Sequence, residues 1–463
     1  MKHSDKVGES GGTLGRWGRI ARRLYIGLVA LLCVATVSLW SSSSGVERAV
    51  AIGVTAALLS PFLLRPSTRR VVQVNLVIAC ALMGIAELFF GGRDAIRRIA
   101  PIARHRAVVD QRTSSAGASA VVFPAVHPQQ FLDIQDLSCG VPLRLVSVEG
   151  RSYLPLAGIA DVKTVYCRGD DGWLVFTSDG RGFNNPSSAQ DGADLVVVGD
   201  SFAQGACVPT GASFVDLLRK ERSAVYTIGQ GGAGPLTELA LLREYLPALR
   251  PKTVLWVYFA GNDVMRNDSA RPSDLDIELR SAILRRYLEE PSFKQDLERL
   301  HGAIDRELRR QVEGRLRRAG VASWKWWQGI ADLATFRALT RHVRTHAAYI
   351  ARRKAKDVSF YRRERLPVFE RTLVAARESA RQNAAELLFV YLPAKALPPL
   401  RDDVLAIVRR LKLELIDLYP LAKAHTGTAM WSARGGHFSQ AGNQRVHAAI
   451  SAALAEHAAG SGG

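Results

Sequence analysis

Four short segments carry the residue types that acyl transfer uses: a hydroxyl nucleophile, a base and amide donors for a developing oxyanion. The first is VVVGDSFAQG, from Val196 to Gly205, where an apolar run ends in Gly-Asp-Ser. Ser201 then falls at a strand-to-helix turn, its hydroxyl above a sheet and its N–H at a positive helix end. Taken alone, a serine after a strand is commonly just a cap. The second segment is YTIGQGGAGP, from Tyr226 to Pro235. Its glycines let backbone approach a ligand closely, and Gly232 is the expected oxyanion donor, although a plain turn fits the segment equally well. In the third, YFAGNDV, Asn262 follows an apolar run and offers a side-chain amide to the same charge. Asparagine also starts turns. The fourth, RGGHFSQAGNQRVHAAI, places His437 in a glycine-rich loop ahead of a C-terminal helix, as the base the serine lacks.

Residues so far apart in sequence can cooperate only if one framework gathers them. In open parallel sheets, ligand groups gather at the carboxyl ends of strands. The runs DLVVVGDS, AVYTIG, TVLWVYFAGND, AELLFVYLP and LELIDL each read as a buried strand, and FVDLLRKE and LTELALLREYL have helical spacing. Alternating strands and helices predict an α/β class with a parallel sheet covered on both faces. Residues 267–382 interrupt the rhythm with basic, charged segments and no strand signal. They read as a helical insertion, either solvated or serving as a lid or docking surface for an anionic partner. Trp324, Trp326 and Trp327 in SWKWWQG suit a membrane interface, a sugar-stacking platform or a small core between helices.

Ser, Gly, Asn and His in this order and in these contexts resemble the four blocks of the SGNH (GDSL-like) hydrolase superfamily. The matching residues are Gly199-Asp200-Ser201, Gly232, Gly261-Asn262-Asp263 and His437, spread over residues 194–458. The resemblance implies a flavodoxin-like three-layer α/β/α sandwich. It also implies serine attack on an ester carbonyl with histidine as base, and an oxyanion hole of the Ser201 N–H, the Gly232 N–H and the Asn262 amide. No cofactor or metal is implied, and His301, His342, His346 and His425 form no ligand grouping. FTSDGRGFNNP resembles an extension that precedes the catalytic block in some bacterial members. One departure stands out. The family's aspartate two or three residues before the histidine is replaced by Gly435 and Arg434. Asp417, or a backbone carbonyl near Trp431, is the expected substitute partner, and Arg434 is free to meet an anionic substrate.

At 463 residues with a net charge of +19, the chain is long enough for two or three units and basic enough for an anionic partner. No zinc-finger spacing or aromatic RNA-binding signature points to nucleic acid. Three apolar runs, Leu24–Trp40, Ala49–Leu64 and Val71–Phe90, approach the roughly 20 residues that a membrane span needs. Basic residues before the first run and between the second and third place those ends in the cytoplasm, against the vote of Arg93, Arg97 and Arg98. The expected organisation is a basic tail (1–23), three transmembrane helices (24–90), a linker (91–129) and a hydrolase-like domain (130–463) outside the membrane, in a bacterium the periplasm. Cys139 and Cys167 could pair in such an oxidising compartment, while Cys207 reads as a packing residue.

The leading expectation is an extracytoplasmic esterase or acyltransferase acting on acyl esters, acetyl foremost, of a carbohydrate or envelope polysaccharide. A transferase would need a membrane partner to supply the acyl donor. A catalytically weak domain that binds polysaccharide or scaffolds an assembly is the alternative, and a lipase or lysophospholipase is a third.

Overall fold

Short apolar runs with polar boundaries leave no solvated face, so they become strands only when covered on both sides. In the computed structural model, five such runs form one all-parallel sheet: β1 Leu195–Gly199, β2 Val225–Thr227, β3 Thr253–Phe259, β4 Glu386–Leu392 and β5 Glu414–Asp417. Their order is β2-β1-β3-β4-β5, that of flavodoxin-like sheets. Leu195 at the start of β1 sits between Val225 of β2 and Thr253 of β3. The structure describes residues 145–169, 172–187, 192–222, 224–266, 272–320, 358–395, 399–432 and 436–461, with short strands at 122–124, 126–127 and 141–142 and the single residue Asn75.

Parallel neighbours require crossovers, and here helices supply them. Between strands lie α1 Phe214–Glu221, α2 Pro235–Leu249, α3 Asp274–Glu278, α4 Ala282–Glu289, α5 Leu297–Gly320, α6 Leu366–Gln382 and α7 Arg401–Arg410; α8 Tyr419–Ala424 and α9 Gln440–Ser461 follow β5. Side chains alternate along each strand, and the two faces build two cores. Val196, Val198, Trp256, Tyr258 and Phe389 pack with Leu239 and Leu246 of α2, Phe369 and Leu373 of α6, and Val404 and Val408 of α7. Leu195, Val197, Leu255, Val257 and Val390 pack with Phe214 and Leu218 of α1 and with Val446, Ile450 and Leu454 of α9. The result is a three-layer α/β/α sandwich.

The insertion expected over 267–382 ends too late. α6 is the crossover between β3 and β4, with Phe369, Leu373, Ala376 and Ala380 fully buried against the sheet. Its charged face, Arg371, Glu378 and Arg381, gave it the look of inserted sequence. The described part of the true excursion is α3, α4 and α5. Val146 of the antiparallel hairpin Val146–Val148/Arg151–Tyr153 shares one core with Leu308 and Val312 of α5.

FTSDGRGFNNP is a clamp. The Asp179 carboxylate accepts from the N–H groups of Arg181 and Phe183 (both 2.9 Å), from Asn185 Nδ2 (2.8 Å) and from the Tyr226 hydroxyl. Asn185 also exchanges bonds with the backbone of Thr227, donating to its carbonyl at 2.9 Å and accepting from its N–H at 2.8 Å. This segment therefore holds β2, the edge strand, where ladder bonds exist on one side only. Cys207 corrects the packing expectation in part: it is disulfide-bonded, and its side chain packs beside Phe176.

Among the described residues, no helix is long and apolar enough to cross a membrane. The expected spans over 24–90 lie outside the described residues except for Asn75. Outside them too lie Trp324, Trp326, Trp327, Arg434 and Cys139, and the side chain of Cys167.

Candidate active site

The order β2-β1-β3 makes connections leave the sheet in opposite directions beside β1, opening a crevice above the carboxyl ends of β1 and β3. Ser201 stands two residues past β1, and Asn262 three past β3. Gly232 lies in the turn after β2, with a left-handed φ of 75°. His437 comes in from the loop before α9. Ser201 and His437 meet: Oγ and Nε2 are 2.8 Å apart.

The turn after β1 closes on itself. Gln204 N–H donates to the Asp200 carbonyl (3.0 Å), Gly205 N–H to that of Phe202 (3.1 Å) and Ala206 N–H to that of Ser201 (2.9 Å). Asp200, fully buried, accepts from the Phe202 N–H at 2.9 Å. Burial pushes the Asp200 carboxyl up to about 6, while the Phe202 N–H, the nearby Asn262 amide, the charge of Arg266 and the nearby Ser201 hydroxyl pull the other way. An amide nitrogen carries two hydrogens, so Asn262 can donate to an oxyanion; its Oδ1 has no partner among the described residues. Gly261 must be glycine, because a Cβ there would lie 2.5 Å from the ring of Phe259.

A small hairpin positions His437. Trp431 bridges Phe438, Ser432 N–H donates to the His437 carbonyl at 3.0 Å, and Ser439 N–H to that of Met430 at 3.0 Å. Phe438 is buried against Phe202 and Trp431, ring centroids 4.7 and 5.0 Å away, and the imidazole itself lies 5.2 Å from Phe202. That apolar setting favours the uncharged ring, and burial pushes the His437 pKa down to about 4. With Nε2 accepting from Ser201, the neutral ring carries its proton on Nδ1. No described residue accepts it.

Asp417 is not the orienting acid. It ends β5, where Arg401 at the start of α7 pairs with its carboxylate and the Tyr419 N–H donates to it at 3.0 Å. Both its oxygens serve the sheet edge and the first turn of α8. The described residues thus hold a serine–histidine dyad in place of a triad.

Behind the site lies a group of acids that sequence reading passed over. Glu278 of α3 accepts from the N–H groups of Gly234 (2.8 Å), Leu236 (2.9 Å) and Thr237 (3.1 Å), satisfying the exposed donors at the α2 N-terminus. Burial nonetheless raises its pKa to about 7. Glu238 and Asp263 are buried without exposure, and burial, then like charges, holds both well above the usual carboxylate range. Asp263 accepts from the Phe259 N–H at 2.8 Å; neither oxygen of Glu238 has a hydrogen-bond partner among the described residues. The signal was present in the helical period, which puts Glu238 on the inner side of α2 among leucines. Among the described residues, no group of histidines, cysteines or acids has the arrangement of a metal site.

No protein-family model matches the chain, and no curated protein matches its sequence. Among solved structures, the chain is similar in part to TesA, with 15% identity and a TM-score of 0.30, over 56% of this chain and 97% of that one. A GDSL-like lipase from Bacteroides thetaiotaomicron aligns with 10% identity and a TM-score of 0.28, over 59% and 91%. The lipase/acylhydrolase from Enterococcus faecalis aligns with 15% identity and a TM-score of 0.28, over 55% and 92%. The arrangement here is SGNH-like. That description rests on this chain's own strand order, on three blocks just past strand ends and on the bonded Ser201–His437 pair.

Proposed function

We propose that the chain is a serine esterase or acyltransferase of the SGNH type, working on acyl esters of a carbohydrate. The 2.8 Å contact between Ser201 Oγ and His437 Nε2, at the switch point of the sheet, carries the reading. In the first step Ser201 Oγ attacks the ester carbonyl as its proton passes to Nε2. The carbonyl oxygen becomes an oxyanion, for which the N–H groups of Ser201, Gly232 and Asn262 are the proposed donors. Collapse expels the alcohol, which takes the proton from Nε2 and leaves an acyl-serine. Water, or a second sugar hydroxyl, then gives its proton to Nε2 and attacks the acyl carbon; the acyl–Oγ bond breaks, Ser201 Oγ takes the proton back from Nε2, and the acid or new ester leaves. Hydrolysis and transfer differ only in that second nucleophile.

His437 without a carboxylate partner among the described residues points to a slow enzyme. In serine hydrolases with a full triad, disabling the acid costs on the order of 10⁴ in kcat. The same feature supports a second reading, a weakly catalytic domain that binds polysaccharide within an envelope assembly. An extracytoplasmic place is supported by the apolar runs before residue 90 and by the disulfide at Cys207, which suits an oxidising compartment. An acetylated envelope polysaccharide is the substrate class that fits such a place, with an acyl-donor partner in the membrane if the reaction is transfer.

Labelling of the full chain with a fluorophosphonate probe, alongside p-nitrophenyl acetate hydrolysis, tests the esterase reading. Wild type should label and turn over, and Ser201→Ala should lose both, by about 10³-fold or more in rate. Folded wild type that neither labels nor hydrolyses would leave the scaffold reading. A strong preference for long acyl chains would favour a lipase.

A further inference from the structure

An oxyanion hole works only if its donors are held where the charge develops. Gln230 to Gly232 follow a three-residue edge strand and contain two glycines. The Gln230 N–H donates to the Gly199 carbonyl at 3.0 Å, and the Gln230 carbonyl accepts from the Ala233 N–H at 2.9 Å. A side-chain anchor also reaches across from the nucleophile turn. Gln204, three residues after Ser201 and buried, accepts from the Gly231 N–H through Oε1 at 2.7 Å. Its Nε2 lies 3.5 Å from Gln230 Oε1. Its own backbone is fixed at both ends: the N–H bonds to the Asp200 carbonyl, and the carbonyl accepts from Asn184 Nδ2 at 2.8 Å.

A separate observation shows how closely the two segments sit. A Cβ on Gly229 would lie 2.5 to 2.6 Å from the backbone of Ala203 and Gln204. Thr227 closes the same seam, donating from Oγ1 to the Ala203 carbonyl at 2.8 Å and accepting from the Gly229 N–H at 3.0 Å. Nucleophile turn and glycine loop are therefore packed as one unit, and the Gln204 side chain spans its outer end.

We propose that Gln204 is a positioning residue: by bonding the Gly231 N–H, it sets the orientation of the adjoining Gly232 peptide relative to Ser201. This rests on the esterase reading above. It makes no contact with substrate, so its effect must appear in kcat and not in ground-state binding.

Three variants of the full chain separate positioning from packing. Gln204→Met fills the space without an acceptor. Gln204→Asn keeps the amide but is one methylene too short to reach. Gln204→Glu keeps an acceptor oxygen at the same length. With p-nitrophenyl acetate, Met and Asn should each lower kcat about 10- to 100-fold with KM within about twofold, the range for a misplacement of about 1 Å. Glu should stay within about threefold of wild type, and each melting temperature within a few degrees. Wild-type kcat in the Asn variant would overturn the proposal, whether or not Met folds. So would a Glu variant as impaired as Asn. Wild type that neither hydrolyses nor labels at Ser201 would instead remove the esterase reading, and this proposal with it.

Discussion

At the scale of single residues, the imidazole of His437 decides the rate. A base must be unprotonated to take the Ser201 proton, and burial among Phe202 and Phe438 moves the ring's pKa down from 6.5 to about 4. Its neutral form then persists through the range where an ordinary histidine titrates. The acid limb of kcat/KM should accordingly fall near pH 4, with activity nearly flat from 5.5 to 7. A limb near 6.5 in p-nitrophenyl acetate assays would show that the ring is solvated or paired in the working enzyme. Asp417→Asn should leave kcat within about twofold, because that carboxylate serves Arg401 and the Tyr419 N–H; a loss of tenfold or more would restore it to the reaction. Ser201 and His437 were legible because each ends or begins a strongly patterned element. Asp417 misled because twenty residues of sequence do not reveal that an arginine on the preceding helix reaches the same carboxylate first.

At the scale of elements, the five strands were plain in the sequence, since continuous apolar runs of that length have few other uses. What could not be read were bonds joining distant segments. The Asp179 carboxylate meets the hydroxyl of Tyr226, and Asn185 the backbone of Thr227, across separations of 47 and 42 residues. Glycine and asparagine in FTSDGRGFNNP advertise a turn, not the strand it clamps. Since β2 is short and at the edge, this buried clamp should matter to its stability. Asp179→Ala would leave a buried hydroxyl, an amide and two N–H groups short of their acceptor. Each unsatisfied buried group costs about 1–3 kcal/mol, so a loss of about 3 kcal/mol or more is expected. Urea unfolding would record it as a lower midpoint at unchanged slope. A loss under about 1 kcal/mol would mean that β2 holds without the clamp.

At the scale of the molecule, a chain with a net charge of +19 places its least solvated acids beneath its active site. Asp200 is raised to about 6 and Glu278 to about 7, and Glu238 and Asp263 are held well above the usual range. The nearby counter-charges face other acids as well: Arg266 lies 3.6 Å from Asp274, and Arg365 2.8 Å from Asp276. An acid whose pKa is higher folded than unfolded adds stability below its unfolded value, and that contribution is lost as pH rises through the folded value. For Asp200 the shift amounts to about 3 kcal/mol, at about 1.4 kcal/mol per pKa unit. His437 acts oppositely, since its depressed pKa removes stability as pH falls from 6.5 towards 4. Above pH 6.5 the Glu278 carboxyl, at about 7, is still giving up its proton. Melting temperature should therefore fall between pH 6.5 and 8.5, despite a basic chain approaching neutrality over that interval. Glu238 sharpens the test, because neither of its oxygens has a hydrogen-bond partner among the described residues. Glu238→Met keeps the volume and removes a buried, unsatisfied carboxyl, and should stabilise the fold by about 1–3 kcal/mol. Its advantage should be larger at pH 8.5 than at 6.5. Wild type whose melting temperature climbs across that interval, or a methionine variant that melts lower at both pH values, would mean that water or a cation reaches these carboxylates in solution.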